Sequence, residues 1–122
     1  MKKLSESNGL STFANHRAEP YFTFVKNGQK TIEGRLRKGE YANLKVGDHI
    51  IVQNDNETDS VEVEVKDIRS YPTFEAMLNN EDLKRVLPDV ETIDQAVQVY
   101  RQFYTPQQEA EFGVMAIEVN RI

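Results

Sequence analysis

The segment from Ser60 to Ile68, SVEVEVKDI, alternates without a break, with Val61, Val63 and Val65 on one side of an extended chain and Glu62, Glu64 and Lys66 on the other. A period of two is incompatible with a helix and predicts a strand with one buried face and one face in water. Just upstream, HIIVQN (49–54) is rich in β-branched residues, and the polar stretch DNETD (55–59) separates the two. These segments are expected to pair as an antiparallel hairpin, which commits the chain to a sheet.

Other segments arrange themselves around that hairpin. FGVMAIEVNRI (112–122) reads as a closing strand, with Val114, Ala116, Ile117 and Val119 suited to a central position. Ser11 to His16 predicts a first strand. Tyr21, Phe22, Phe24 and Val25 fall near helical spacing, with Pro20 in the first turn and Asn27-Gly28 as a left-handed end. Lys30 to Arg37 alternates again as a strand. Thr73 is placed to cap a helix from Phe74 to Asn79, and Asp82 to Leu87 adds a turn or two before Pro88. Thr92 then precedes Ile93, Ala96, Val97, Tyr100, Phe103 and Tyr104 at spacings of three and four, an amphipathic helix ended by Thr105-Pro106. The predicted order is β-α-β-β-β-α-α-α-β, an α+β fold with helices at one side of a barrel-like sheet. Its 122 residues suit one domain, 1–122, with residues 1–10 flexible.

Composition narrows the chemistry. Absence of cysteine removes disulfides, thiolate nucleophiles and cysteine metal sites, and two isolated histidines, His16 and His49, do not make a metal centre. No metal or cofactor is expected. Without an apolar run of membrane length or a signal-like start, the expectation is a cytoplasmic protein with no membrane contact. A net charge of −5 argues against a broad basic face for nucleic acid. The charge is uneven, however: Lys26 to Lys45 holds six basic residues against the two acids Glu33 and Glu40. That is enough for a small positive patch on an acidic body.

The Lys30–Arg37 strand carries charge on both sides. Glu33 and Arg35 share one side, about 7 Å apart at two strand steps of about 3.3 Å. Lys30 stands at the strand's start beside Gly28, where Glu33 is its natural partner. Three uses remain open from the residues alone: ligand binding, lysine–carboxylate acid–base chemistry, and a plain Glu33–Arg35 salt bridge.

Four blocks occur in order: Gly28-x-Lys30-Thr31-x-Glu33-x-Arg35, Val46-Gly47-Asp48-His49-Ile50, Tyr71 with Thr73-Phe74, and Phe112 to Ile117. From about Ala18 to Val119 the sequence thereby resembles the ASCH family. The resemblance implies a PUA-like fold, a small β-barrel with flanking helices, related to domains that bind RNA or modified bases. It also implies a cleft walled by the GxKTxExR strand and the helical insert, with RNA, a nucleotide or a modified nucleoside as the partner. In one branch, the small acetylcytidine amidohydrolases, the lysine of GxKT, a threonine three residues later and a downstream glutamate are implicated. This chain matches the lysine as Lys30, has Glu33 at the threonine position, and has Asp89, with Glu91 nearby, where the glutamate falls. A ribonuclease reading would use Lys30 or Arg35 against a phosphate. The expected site is therefore Lys30, Glu33 and Asp89 for an enzyme, or Lys30, Glu33 and Arg35 with Tyr104 and Tyr71 for a binder. His16, just ahead of the first helix, is placed to approach the same cleft.

Overall fold

Two hydrophobic cores form on opposite faces of one strand, β6 (Val114–Arg121), because its sequence VMAIEV is apolar on both sides. The computed structural model describes all residues from Met1 to Ile122. In chain order the remaining elements are β1 (Lys2–Ser7), β2 (Leu10–Arg17), α1 (Tyr21–Lys26), β3 (Ile32–Leu36), a 3₁₀ turn (Gly39–Asn43), β4 (His49–Asn54) and β5 (Ser60–Tyr71). Four helices then precede β6: α2 (Phe74–Asn80), α3 (Leu83–Val86), α4 (Ile93–Arg101) and α5 (Pro106–Phe112).

The alternating segment pairs as expected, with Ile50 opposite Val63 and Val52 opposite Val61 in an antiparallel β4–β5 ladder. The six strands make one sheet in the order β1-β2-β4-β5-β6-β3, mixed because β2 runs parallel to β4. On its inner face Met115, Ile117 and Val119 of β6 pack with Val63, Val65, Ile50, Val52 and Phe13, beneath Phe22 and Val25 of α1. On the outer face Val114 and Ala116 join Ile32 and Leu36 of β3 under Phe74, Met77 and Leu78 of α2 and Tyr100 of α4. Phe74 stacks on Tyr100 with centroids 4.3 Å apart and on Tyr104 at 5.1 Å, which ties α2 to the end of α4.

Three expectations are corrected. The sheet does not close: β1 and β3 are its edges, so the fold is mixed α+β with an open six-stranded sheet and not a hydrogen-bonded barrel. Residues 1–10, expected to be flexible, contain β1, which pairs antiparallel with β2 through a turn at Asn8 and Gly9, both at positive φ. An Asn-Gly pair is the usual signature of such a hairpin. Finally, α4 ends at Arg101, ahead of Phe103 and Tyr104, and Thr105-Pro106, expected to end it, begins another helix. Thr105 accepts from the Gln108 amide while Gln108 caps Thr105 in return, and Pro106 occupies the first turn, where a missing N–H matters least. The resulting order is β-β-α-β-β-β-α-α-α-α-β.

The Val46-Gly47-Asp48 turn is fixed by a fully buried carboxylate. Asp48 Oδ1 accepts from the Ser11 amide and Oδ2 from the Lys45 amide, both at 2.8 Å, joining the start of β2 to the entry of β4. Removing it strands buried donors, at about 1–3 kcal/mol for each. Asp48→Ala is therefore expected to lower the unfolding free energy by about 3 kcal/mol in urea titrations, and Asp48→Asn by less, since one amide bond is retained.

Candidate functional site

Alternation along β3 decides what faces the site. Ile32, Gly34 and Leu36 turn outward into the helix-covered core, so Glu33 and Arg35 turn to the inner side of the curled sheet. There they meet the inward residues of β2. The Arg17 guanidinium grips one oxygen of Glu33, and Arg35 Nε lies 3.5 Å from the other. Arg35 is stacked over the Tyr41 ring at 5.0 Å, and Tyr41 in turn accepts a hydrogen bond from Asn15 at 3.0 Å. Strands β2 and β3 share no backbone ladder, so side-chain charge spans the opening between them.

Lys30 is buried, 4% exposed, and does not pair with Glu33. Its ammonium donates to the carbonyls of Ile32, at 2.9 Å, and Val86, and sits 5.9 Å from the centre of the Tyr21 ring. The expected Lys30–Glu33 pair is thus replaced by two arginines on the carboxylate and two carbonyls on the lysine. Its neighbours are pinned as well. The Lys30 amide donates to Phe24 O, the Thr31 amide to Arg85 O, and Arg85 Nε to the Thr31 hydroxyl, so the Gly28-x-Lys30-Thr31 stretch is sewn to α1 on one side and α3 on the other.

A cleft of about 240 Å³ opens over these groups, below the roughly 300–1,000 Å³ of sites for drug-sized ligands. Its polar floor is Lys30, Glu33 and Arg35 with Arg17, and its aromatic walls come from Tyr21 on one side and Tyr100, Phe103 and Tyr104 on the other. Gly34 sets the wall's distance. A Cβ there would lie 2.7 Å from the Tyr100 hydroxyl and 2.8 Å from Met77 Cε, so only glycine lets α2 and α4 seat this close to β3.

Burial opposes charge throughout the cleft, and local partners decide the outcome. For Lys30, burial dominates and lowers the pKa to about 8 despite the Glu33 charge, which leaves the amine mostly protonated at pH 7. Burial also works against the Glu33 carboxylate, yet Arg17, Lys30 and Arg35 together hold it below the ordinary glutamate value. Tyr100 is pushed up by burial first and then by the Glu33 charge, so its phenol stays protonated.

Of the residues expected from sequence, Lys30, Glu33, Arg35 and Tyr104 line the cleft, and His16 stands at its rim, bonded to Glu57 at 2.7 Å. Tyr71 does not. It sits at the end of β5 with its hydroxyl donating to Glu81, outside the cleft. Asp89 is exposed in the α3–α4 loop and lines no part of the cleft, although its charge is felt by Lys30 and Tyr21. Sequence reasoning missed Arg17 and Phe103. Arg17 continues the inward series Phe13, Asn15 of β2, a period-two signal, whereas Phe103 looked like a core position and is 67% exposed at the lip.

A model of the ASCH domain matches residues 17–122. The chain belongs to the ASCH family. No curated protein matches it. Among solved structures, the hypothetical protein PH0355 is 40% identical with a TM-score of 0.82, over 91% of this chain and 99% of that one. Protein PF0455 from Pyrococcus furiosus is 34% identical with a TM-score of 0.73, over 91% and 97%. An ASCH domain from Lactobacillus crispatus, 14% identical with a TM-score of 0.57 over 90% and 79%, shares the fold. In this ASCH domain the matched region takes in every polar group of the cleft floor, while β1 and all of β2 except Arg17 lie ahead of it.

The lowered lysine value has a defined sign. Between about pH 8 and the ordinary 10.5, folded protein has released the Lys30 proton and unfolded chain still holds it, so stability attributable to this residue rises with pH across that window. A ¹³C NMR titration of lysine side chains is expected to show one resonance with a midpoint near 8, absent in Lys30→Met. In urea unfolding the wild type should gain on Lys30→Met between pH 8 and 10.

Proposed function

We propose that this ASCH domain is a binding module that takes a nucleotide or modified nucleoside of RNA into the cleft between β3 and α4. The observation that carries the reading is the Glu33 carboxylate clamped between Arg17 and Arg35 on a floor whose walls are aromatic. Such a floor offers an ionised acceptor flanked by planar donors, the combination that reads base edges, and the rings beside it offer stacking surfaces. Phe103 supports this, since its ring, tilted against Tyr104 at 6.3 Å, is 67% exposed at the mouth of the cleft and offers a free face for stacking. Lys30 holds the floor in register by bonding to Ile32 O and Val86 O.

A second reading, amide hydrolysis of an acetylated nucleoside, is favoured by one observation. Lys30 is a buried amine with a pKa of about 8, close enough to neutral for general-base work. Against it, the downstream acid Asp89 lies outside the cleft and both Lys30 contacts are to carbonyl acceptors.

Both readings face one experiment. The protein is titrated with short single-stranded RNA, cytidine and 4-acetylcytidine while backbone amide shifts and free acetate are followed. Binding is expected to move resonances of β3, α1 and the α4–α5 turn, and Phe103→Ala to weaken it about tenfold, in line with about 1–3 kcal/mol for a stacked base. Shifts scattered elsewhere, or none, would sink the binding reading. Acetate release that vanishes in Lys30→Met would establish the hydrolase instead.

A further inference from the structure

We infer that the cleft holds a phosphate group of its ligand against Arg17 and Arg35, which makes the favoured ligand a nucleotide, free or within a strand, and not an uncharged nucleoside. The inference rests on the base-binding reading above and narrows it.

Charge balance is the first support. The cleft is lined by three cationic side chains, Arg17, Lys30 and Arg35, against the single carboxylate of Glu33. Glu33 is already shared between the two arginines, with Arg17 on one oxygen and Arg35 Nε 3.5 Å from the other, and Lys30 bonds only to neutral carbonyls. Of the other polar groups in the lining, Tyr21, Tyr100 and Tyr104 contribute phenols, and His16 is bonded to the Glu57 carboxylate at the rim. Asp89 is exposed in the α3–α4 loop and lines no part of the cleft. Within the lining itself the cationic side chains therefore outnumber the carboxylate by two, in a chain whose net charge is −5. Elsewhere the shielded ions are matched, as in Arg101 with Glu109 and Arg69 with Glu81.

Unsatisfied donors are the second support. Four buried side-chain polar atoms in the whole protein lack a hydrogen-bond partner, and two of them are the Nε atoms of Arg17 and Arg35, the latter 3.5 Å from Glu33 without a hydrogen bond to it. A third, Asn15 Oδ1, belongs to the neighbouring residue of the same inward row on β2. Guanidinium groups so disposed suit a tetrahedral anion, which presents several oxygens to two forks at once. A phosphate oxygen drawn toward them also offsets the excess charge, which a base edge does not.

The test compares uridine, cytidine, adenosine and guanosine with their 5′-monophosphates and with a short oligonucleotide, at constant ionic strength by calorimetry. Arg17 and Arg35 Nε–H resonances are followed in parallel, with inorganic phosphate as a separate titrant. At least one monophosphate is expected to bind about 10- to 100-fold more tightly than its nucleoside, the range of one or two charge-assisted bonds. That gain should disappear in Arg17→Gln and persist in part in Arg17→Lys, and the Nε–H signals should shift. If only the oligonucleotide gains, with the same arginine dependence, the phosphate is a backbone diester and the inference stands. Nucleosides and nucleotides binding equally, with the Nε–H signals unmoved, would overturn the inference while leaving the base-binding reading intact. If no ligand of the panel binds, that reading fails first and the inference with it.

Discussion

Where β2 and β3 face each other across the mouth of the curled sheet, the groups that meet are the Arg17 guanidinium and the Glu33 carboxylate. An ordinary barrel would close such a gap with backbone hydrogen bonds. Here the ladder runs out, and an ion pair between half-buried side chains, extended by Arg35 over the Tyr41 ring, spans it. Removing one member of so shielded a group would leave its partner's charge uncompensated, which is far more damaging than losing an exposed pair. The seam is also what makes a cleft available: a gap spanned by long side chains leaves room between them, whereas a closed ladder leaves none.

The Gly28-x-Lys30-Thr31 stretch gains a physical reading that its sequence alone does not supply. Lysine at its centre looks like a reactive group, yet the ammonium is spent on the carbonyls of Ile32 and Val86, and Thr31 is tied to Arg85 by both backbone and side chain. The motif therefore fastens the helical insert to the first residues of β3. Burial lowers the lysine pKa as a by-product of that fastening, so a value of about 8 is compatible with a purely architectural duty.

Much of the architecture could be read from periodicity. The alternation of Val61, Val63 and Val65, the two-faced apolar run of β6 and the Thr73 and Thr92 caps all lie where local pattern and tertiary packing agree. Misreadings came where one signal has two meanings. Thr-Pro in a sequence can mark a helix end or a helix start, and here it only starts one, while Asn8-Gly9 reads as a loose terminus until a second strand is sought beside it. At the site, Glu33 and Arg35 were legible because strand parity puts them on one side, but parity carries no information about partners distant in sequence. Arg17 belongs to a different strand and reaches Glu33 only because the sheet curls. Tyr71 and Asp89 failed for the complementary reason: neighbourhood in a motif does not specify which side of the helical insert a side chain takes.

Gly34 ties the width of the cleft to something remote from it. With no side chain at that position, Met77 and the Tyr100 hydroxyl rest almost directly on the β3 backbone, and Val99, Tyr100, Phe103 and Tyr104 all belong to α4 or the turn that follows it. The aromatic side of the hollow is thus the end of a lever whose fulcrum is a bare stretch of main chain. A guest too large for the present opening would have to tilt the whole of α4 and loosen its stack on Phe74, drawing on the cohesion of the outer core. Any selection by size would in this way be set by the hydrophobic interior and not by the groups that line the cleft.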